Sequence, residues 1–402
     1  MKKLFLSIAI LTTSVCMMAS CGNKAANTSS ESAEAAVEAA DDNSPAMQLL
    51  NSVDFTEEGL KSMIKTPEKE PLTADEFEAL YLAYSKVDLK DNLELGQNFV
   101  GNVKNAVLSN HKRPANASEI FQKLLSNASP QVRGVAVQQF KTIFGVNDGD
   151  ISKLVQILNN EKAPYMIKEG IKTLSNEMKK PEVAKFILSQ ISSDNKYIRK
   201  AVALSVGNYW SKGVDGMADA AKKLMADSDE DVQKTILSHV GELSDDSLVP
   251  ELEKVLNDPA QAKLHGDAMR SLYTMWYGYP KHENTSKAAY TVALNYLKKT
   301  PRTNDIPAWT SIGALETQNA KEINGWKARA TYYKDAEWVK VMMDIATDAN
   351  ANWIGRTSAV KVIAKIGSKS DLEKVKSAVA GNSSDKSQKQ VLDAVNKAID
   401  KL

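Results

Sequence analysis

Apolar residues return at two fixed phases between residues 117 and 277. One phase carries Val132, Met166, Ile198, Val232 and Leu264, at spacings of 34, 32, 34 and 32 residues. The other runs ahead of it through Leu125, Leu158, Ile191, Met225 and Leu256. Around each phase the apolar positions have helical spacing, as in Val132, Val135, Ala136 and Phe140, or Ile198, Val202 and Val206. Each unit therefore predicts two helices. The first ends in an apolar pair followed by Asn, Asp or Ser: LLSN (124–127), ILNN (157–160), ISSD (191–194), LMAD (224–227) and VLND (255–258). The carboxylates of Asp194, Asp227 and Asp258 are placed to accept from free N–H groups at the next helix start. Pro130 and Pro164 fall at the opening of the second helix, where a missing N–H costs nothing. A period of this length is the signature of stacked supersecondary units, so the pattern predicts an all-α solenoid of antiparallel helix pairs.

A short helix, a turn carrying Asp, and a helix opening Val-Arg or Ile-Arg together resemble the HEAT-repeat family. Val132-Arg133 and Ile198-Arg199 match its Val-Arg pair, and Asp194 and Asp227 match its turn Asp. Val232-Gln233 and Leu264-His265 keep the apolar residue and lose the Arg. The Trp, Gly, Tyr and Ala offsets of the rival TPR pattern cannot be placed in these units. The resemblance covers 116–277 and resumes at 336–366, where Asp348, Ile354 and Arg356 fit loosely. It implies a right-handed α-solenoid, HEAT-like, and carries no activity with it.

Outside the period the chain divides further. Residues 47–115 predict helices out of phase with the repeat, and Thr73 with Glu76 forms a capping box ahead of Phe77, Leu80, Tyr81 and Tyr84. They are expected to form an N-terminal helical cap. Residues 278–335 break the period and predict an irregular helical insert, with one helix near 286–298. Residues 336–402 predict a further repeat and a polar C-terminal capping pair.

The N-terminus has its own pattern. Lys2 and Lys3 precede the apolar run Leu4–Val15, which is too short for a comfortable membrane span of about 20 residues. Met18-Ala19-Ser20-Cys21 then resembles a bacterial lipobox, with Met18 where Leu is more usual. The resemblance implies a signal peptide over 1–20, cleavage before Cys21, and lipid (palmitate among the acyl chains) on Cys21. Cys16 is the other cysteine, so the body would hold no thiol for a disulfide or zinc site. Residues 21–46 are small, polar and acidic, and read as a flexible tether with a reach of about 25–30 Å. Gly22 lacks the Asp that retains enterobacterial lipoproteins in the inner membrane, which implies the outer membrane.

Composition is that of a folded chain, 43% hydrophobic and 25% charged. The formal net charge is +1 and falls to about −1 without Lys2 and Lys3, which argues against a nucleic-acid partner. Five of six tryptophans lie between 276 and 353. Tyr273, Trp276, Tyr277, Tyr279, Trp309 and Trp326 are the candidate binding face; they serve equally well as fillers of irregular gaps between helices. Asp227, Asp229 and Asp231 alternate like an EF-hand opening, but Val232 and Ser238 stand where Gly and Glu are needed, so they read as an acidic turn. His111, His239, His265 and His282 form no zinc-protease pair, and no nucleophile elbow, P-loop or dinucleotide fingerprint is present. No catalytic residue, metal site or cofactor is assigned. Lys168, Glu169, Lys172, Lys196 and Lys200 read as solvated faces, and Gln131, Tyr165, Lys196 and Asp231 as a possible surface ridge.

The expected function is that of a lipid-anchored cell-envelope protein, not an enzyme, acting as a protein-binding scaffold for other envelope proteins. The alternative is a carbohydrate- or nutrient-binding lipoprotein that uses the aromatic-rich segment 273–353.

Overall fold

The computed structural model describes residues 43–89, 93, 98–278, 285–299, 320–381 and 386–402. Cys21 and the tether up to residue 42 lie outside these. Among the described residues the fold is all-α and solenoid-like, with a single isolated β-bridge between Pro71 and Lys112. The chain divides into two compact units, Met1–Val202 and Ala203–Leu402. The division falls inside the period, so the expected 116–277 array is shared between the two.

The first unit opens with α1 (Pro45–Asn51), α2 (Glu57–Ser62), α3 (Ala74–Leu82) and α4 (Phe99–Asn110). Helix α1 starts two residues inside the expected tether, with Ser44 as its cap. The capping box on α3 is present in full. Thr73 Oγ1 accepts from the Glu76 N–H, and Glu76 Oε2 accepts from the Thr73 N–H. Glu76 does more than cap: its carboxylate also accepts from the N–H groups of Lys65 and Thr66 and from the Thr66 hydroxyl. Burial alone would raise its pKa, but these donors outweigh burial and bring it to about 2.

The pairs follow where the period put them: α5 (Ala117–Leu125) on α6 (Pro130–Ile143), α7 (Asp148–Asn159) on α8 (Pro164–Leu174), then α9 (Pro181–Ser189) and α10 (Lys196–Gly207). Helix α6 packs on α8 and α7 on α9, so first helices form one layer and second helices the other. Helix α3 packs against both α5 and α6. The phase residues Val132, Met166, Ile198, Val232 and Leu264 are all buried, as periodicity demands.

The second unit repeats the scheme with α11 (Met217–Met225) on α12 (Glu230–His239) and α13 (Val249–Asn257) on α14 (His265–Tyr273). Helices α12 and α14 approach so closely that a Cβ on Gly241 would stand 2.3 Å from the Ser271 carbonyl oxygen. The Ser271 hydroxyl uses that approach, donating to the Leu237 carbonyl at 2.6 Å and accepting from the Gly241 N–H at 2.9 Å. Helix α15 (Lys287–Lys299) packs on α13 and α14, as the next first helix would. The interval expected to be an irregular insert thus begins with a helix that keeps the stacking. After α16 (Ala320–Lys327) come α17 (Asp335–Thr347) on α18 (Trp353–Ile366) and α19 (Lys369–Val379) on α20 (Lys386–Ile399).

A polar latch accompanies the apolar phase. Arg133 donates to the carbonyls of Asn127 and Ala128, at 2.8 and 2.9 Å. Arg199 does the same to Ser193 and Asp194. Where Arg is replaced, the role survives. Gln233 donates to the Asp227 carbonyl at 2.7 Å, and the His265 ring nitrogen Nε2 lies 3.1 Å from the Asp258 carbonyl. Each closes the turn between the two helices of its pair, satisfying carbonyls of the turn itself. The α8 position carries Ile167 and has no such donor. There Glu161 accepts from the Lys162 and Ala163 N–H groups, and Arg133 holds Glu161 through two bonds of 2.9 and 3.0 Å.

Several expectations about surface charge are corrected. Lys168 and Glu169 are buried and paired at 2.9 Å, with Lys168 also donating to the Leu93 carbonyl. Tyr165 is buried and Gln131 donates to the Val87 carbonyl, so neither belongs to a free ridge. The cap of α10 is Asn195, whose Oδ1 accepts from the Tyr197 and Ile198 N–H groups, and Asp194 contributes a backbone carbonyl instead. Asp229 caps α12 through the N–H groups of Asp231 and Val232.

Candidate functional site

Two places in the second unit bear on function: an aromatic core and an open hollow. The aromatic core forms because α14 ends in a π-helical turn, Thr274–Gly278, that brings Tyr273 and Trp276 round to the same side. Trp276 stacks on Trp338 of α17 at 5.4 Å and on Tyr333 at 5.9 Å, while Tyr290 of α15 meets it edge-on at 5.3 Å. The Tyr332 hydroxyl donates to the Trp276 carbonyl, and the Tyr290 hydroxyl donates to Glu337.

This corrects the expected binding face. Tyr273 and Trp276 are buried, Trp276 with 0% exposure, because four separate segments close around the indole. Tyr277 is half-buried. Tyr279 and Trp309 lie outside the described residues; Trp326 falls on α16, but its side chain is likewise outside them. Burial raises Tyr273 well above the ordinary phenol range and pushes Tyr290 up to about 12, where Glu337 adds to the effect. The Tyr273 hydroxyl finds no hydrogen-bond partner.

The exposed aromatics are elsewhere. Trp210, the one tryptophan outside the sequence cluster, is 44% exposed, and Trp353 at the start of α18 is 39% exposed next to Ile354. Periodicity could not single out Trp210, since the loop between α10 and α11 has no repeat phase.

The residues that follow Trp210 in the chain, from Ser211 on, line the hollow, of about 660 Å³. Three turns line it: 211–219, 243–246 and 285–286. Gly213 and Gly216 adopt φ of 71° and 79°, a left-handed backbone that favours glycine, and the turn folds over on itself there. Carboxylates of Asp215, Asp219, Asp245 and Asp246 border it, with the hydroxyls of Ser244 and Thr285. Asp245 accepts from the Ser247 N–H, and Asp219 lies 3.8 Å from Lys222. Such a lining can accept hydrogen bonds from hydroxyl or amine groups. A second, more apolar hollow of about 490 Å³ is walled by Val339, Met343, Ile366 and Gly367.

Among the described residues no group of three or more His, Cys, Asp or Glu converges to hold a metal ion, and no helix is long and apolar enough to cross a membrane. No protein-family model and no curated protein match the chain. Among solved structures it is similar to the crystal structure of an engineered protein, at 16% identity over 70% of this chain and 98% of the other, with a TM-score of 0.25.

Proposed function

We propose that this chain is a non-catalytic binding or scaffold protein of a bacterial cell envelope, held at the membrane by lipid on Cys21. The observation that carries the reading is how the repeats spend their residues. Apolar phases and polar latches are consumed inside the helix pairs, and what remains for other molecules is an outer surface with exposed aromatics such as Trp210 and Trp353. A lipid tether confines such a surface to the membrane and raises its effective concentration toward partners anchored there. The leader and lipobox pattern of residues 1–21 supports the anchor. Crosslinking in the native membrane followed by mass spectrometry tests the reading. Recovery of defined envelope proteins, lost when Cys21→Ala releases the chain from the membrane fraction, is the expected result. Unchanged membrane association of that variant would refute the anchor.

A second reading places carbohydrate in the hollow lined by residues 211–219, which follow Trp210 in the chain. Its carboxylates and hydroxyls match sugar hydroxyls, and an exposed indole offers a stacking surface. Glycan-array binding abolished by Trp210→Ala would favour it over the scaffold.

A further inference from the structure

Lys104, Lys141 and Lys168 are the buried lysines among the described residues. Two of them are paired with carboxylates. Lys141 meets Glu177 at 2.8 Å and Lys168 meets Glu169 at 2.9 Å. Lys104 of α4 is different, for among the described residues it meets no carboxylate and burial alone acts on its charge. Its amine faces two rings instead, Tyr81 of α3 at 5.5 Å and Tyr84 of the following turn, Ala83–Lys86, at 5.4 Å. Ring faces attract a cation but compensate it far less than a carboxylate does. Burial raises both phenols, Tyr84 to about 12, so neither ring carries a negative charge at neutral pH. The stem of Lys104 is covered, yet its amine is not sealed. The Tyr81 hydroxyl is enclosed without a partner, whereas the Lys104 Nζ, equally without one, keeps contact with solvent.

We infer that Lys104 is an acylation site, a nucleophilic amine held between the Tyr81 and Tyr84 rings that takes its acyl group from an activated donor such as an acyl phosphate. A lysine desolvated by apolar surroundings is a recognised form of activated nucleophile. The Nζ lone pair attacks the acyl carbon and forms a C–N bond. The bond from that carbon to the leaving group breaks, its electron pair departs with the leaving group, and the amine's proton goes to water. The reaction needs the free amine. Burial lowers the Lys104 pKa to about 8, so about a quarter of the molecules carry the free amine at pH 7.5, against about one in a thousand for an ordinary lysine. The product amide is neutral, so acylation removes the charge that burial opposes. The solvent-touching tip lets the acyl group extend outward while the stem stays packed. Charged groups on the neighbouring elements do not restore the ammonium, because they are engaged elsewhere or solvated. Glu57 of α2 pairs with Lys61 and Glu58 is exposed. On α3, Asp75 is exposed, Glu76 is occupied by its donors, and Glu78 interacts with Lys123. Lys86 lies over the Phe55 ring, and Arg113 acts on Tyr81.

The test is acetylation of the full folded chain by acetyl phosphate, with the rate at each lysine read by peptide mass spectrometry. The exposed Lys65 and Lys112 of the same unit are the internal comparison. Lower basicity and the cover around the stem slow each free amine, so the expected net advantage of Lys104 at pH 7.5 is roughly tenfold. Its rate should level off above about pH 8, while the rates at Lys65 and Lys112 go on rising. Unfolding the chain in urea should erase the advantage. Leu108→Glu places a carboxylate one helical turn from Lys104, as Glu177 stands to Lys141, and should also cancel it. If that variant does not fold, the wild-type rates and their pH profile still decide. Acetylation of Lys104 no faster than of Lys65 and Lys112, an advantage that persists in urea, or an unchanged advantage in folded Leu108→Glu would overturn the inference.

Discussion

The regular pairs and the segment around Trp276 solve one packing problem in opposite ways. In the pairs, aliphatic residues fill most of the interior, with rings such as Phe121, Phe140 and Tyr165 among them, and in all but the α8 pair a side chain one residue beyond the apolar phase ties down the turn. Around Trp276 the helices no longer meet at a fixed spacing, and the gaps are filled by rings: Tyr273, Tyr290, Tyr333 and Trp338. The difference teaches what periodicity provides. A repeated spacing lets small residues interdigitate and leaves backbone groups that a polar latch can reach. An irregular spacing needs large, rigid area, and the buried Tyr273 hydroxyl then goes without a partner.

Substitutions at five positions would break or sharpen this contrast. Trp276→Ala should cost the most, about 3–5 kcal/mol in chemical unfolding, against roughly 1–2 kcal/mol for Val232→Ala in a regular pair. Equal costs would mean that the rings add nothing beyond ordinary burial. Next comes Glu76→Gln, which replaces a carboxylate accepting from five donors with an amide that keeps only one of its oxygens. Its carboxyl stands near pH 2 in the fold against an ordinary value of 4.5, so the loss at neutral pH is about 3 kcal/mol. The folded pKa is the lower one, so this stability is complete above about pH 5 and fades as pH falls through about 2. An unfolding series from pH 7 to 2 should show the wild type converging on the Gln variant. Arg133→Ala should cost about 2–3 kcal/mol, because it strands two turn carbonyls and leaves Glu161 without its partner. Arg133→Gln should recover part of this, as Gln233 does in its own pair. The smallest effect is expected from Tyr273→Phe. Removing a buried hydroxyl that has no partner should be neutral or stabilising by up to about 1 kcal/mol, read as an unchanged or raised thermal midpoint.

Lys104 of α4 adds a second pH effect in the first unit. It is 6% exposed, lies 5.5 and 5.4 Å from the ring centres of Tyr81 and Tyr84, and burial lowers its pKa to about 8. The penalty of charging it is complete below about pH 8 and disappears as pH rises toward 10.5, so stability again rises with pH, as at Glu76, but in an alkaline window.

Much of the fold was legible in the sequence for a simple reason. Helical spacing and burial are the same fact, so Val132, Met166, Ile198, Val232 and Leu264 could be placed in the core before any coordinates. Thr73 and Glu76 were equally legible, since a capping box is a local structure set by four consecutive residues. The site was not legible. Tyr273 and Trp276 could be read as a binding face or as fillers of an irregular core, and only the approach of Tyr333 and Trp338, some sixty residues away in sequence, shows them buried. Trp210 carried no signal at all, for exposure in a loop depends on what does not pack over it.

By itself the sequence determined the helix pairs, their period and their buried phases, because these follow from spacing along one chain. Tertiary structure decided which polar side chains became latches and which aromatics became core. Gln233 and His265 read in sequence as departures from Arg, yet they do Arg's work, because the turn asks only for a hydrogen-bond donor at that reach.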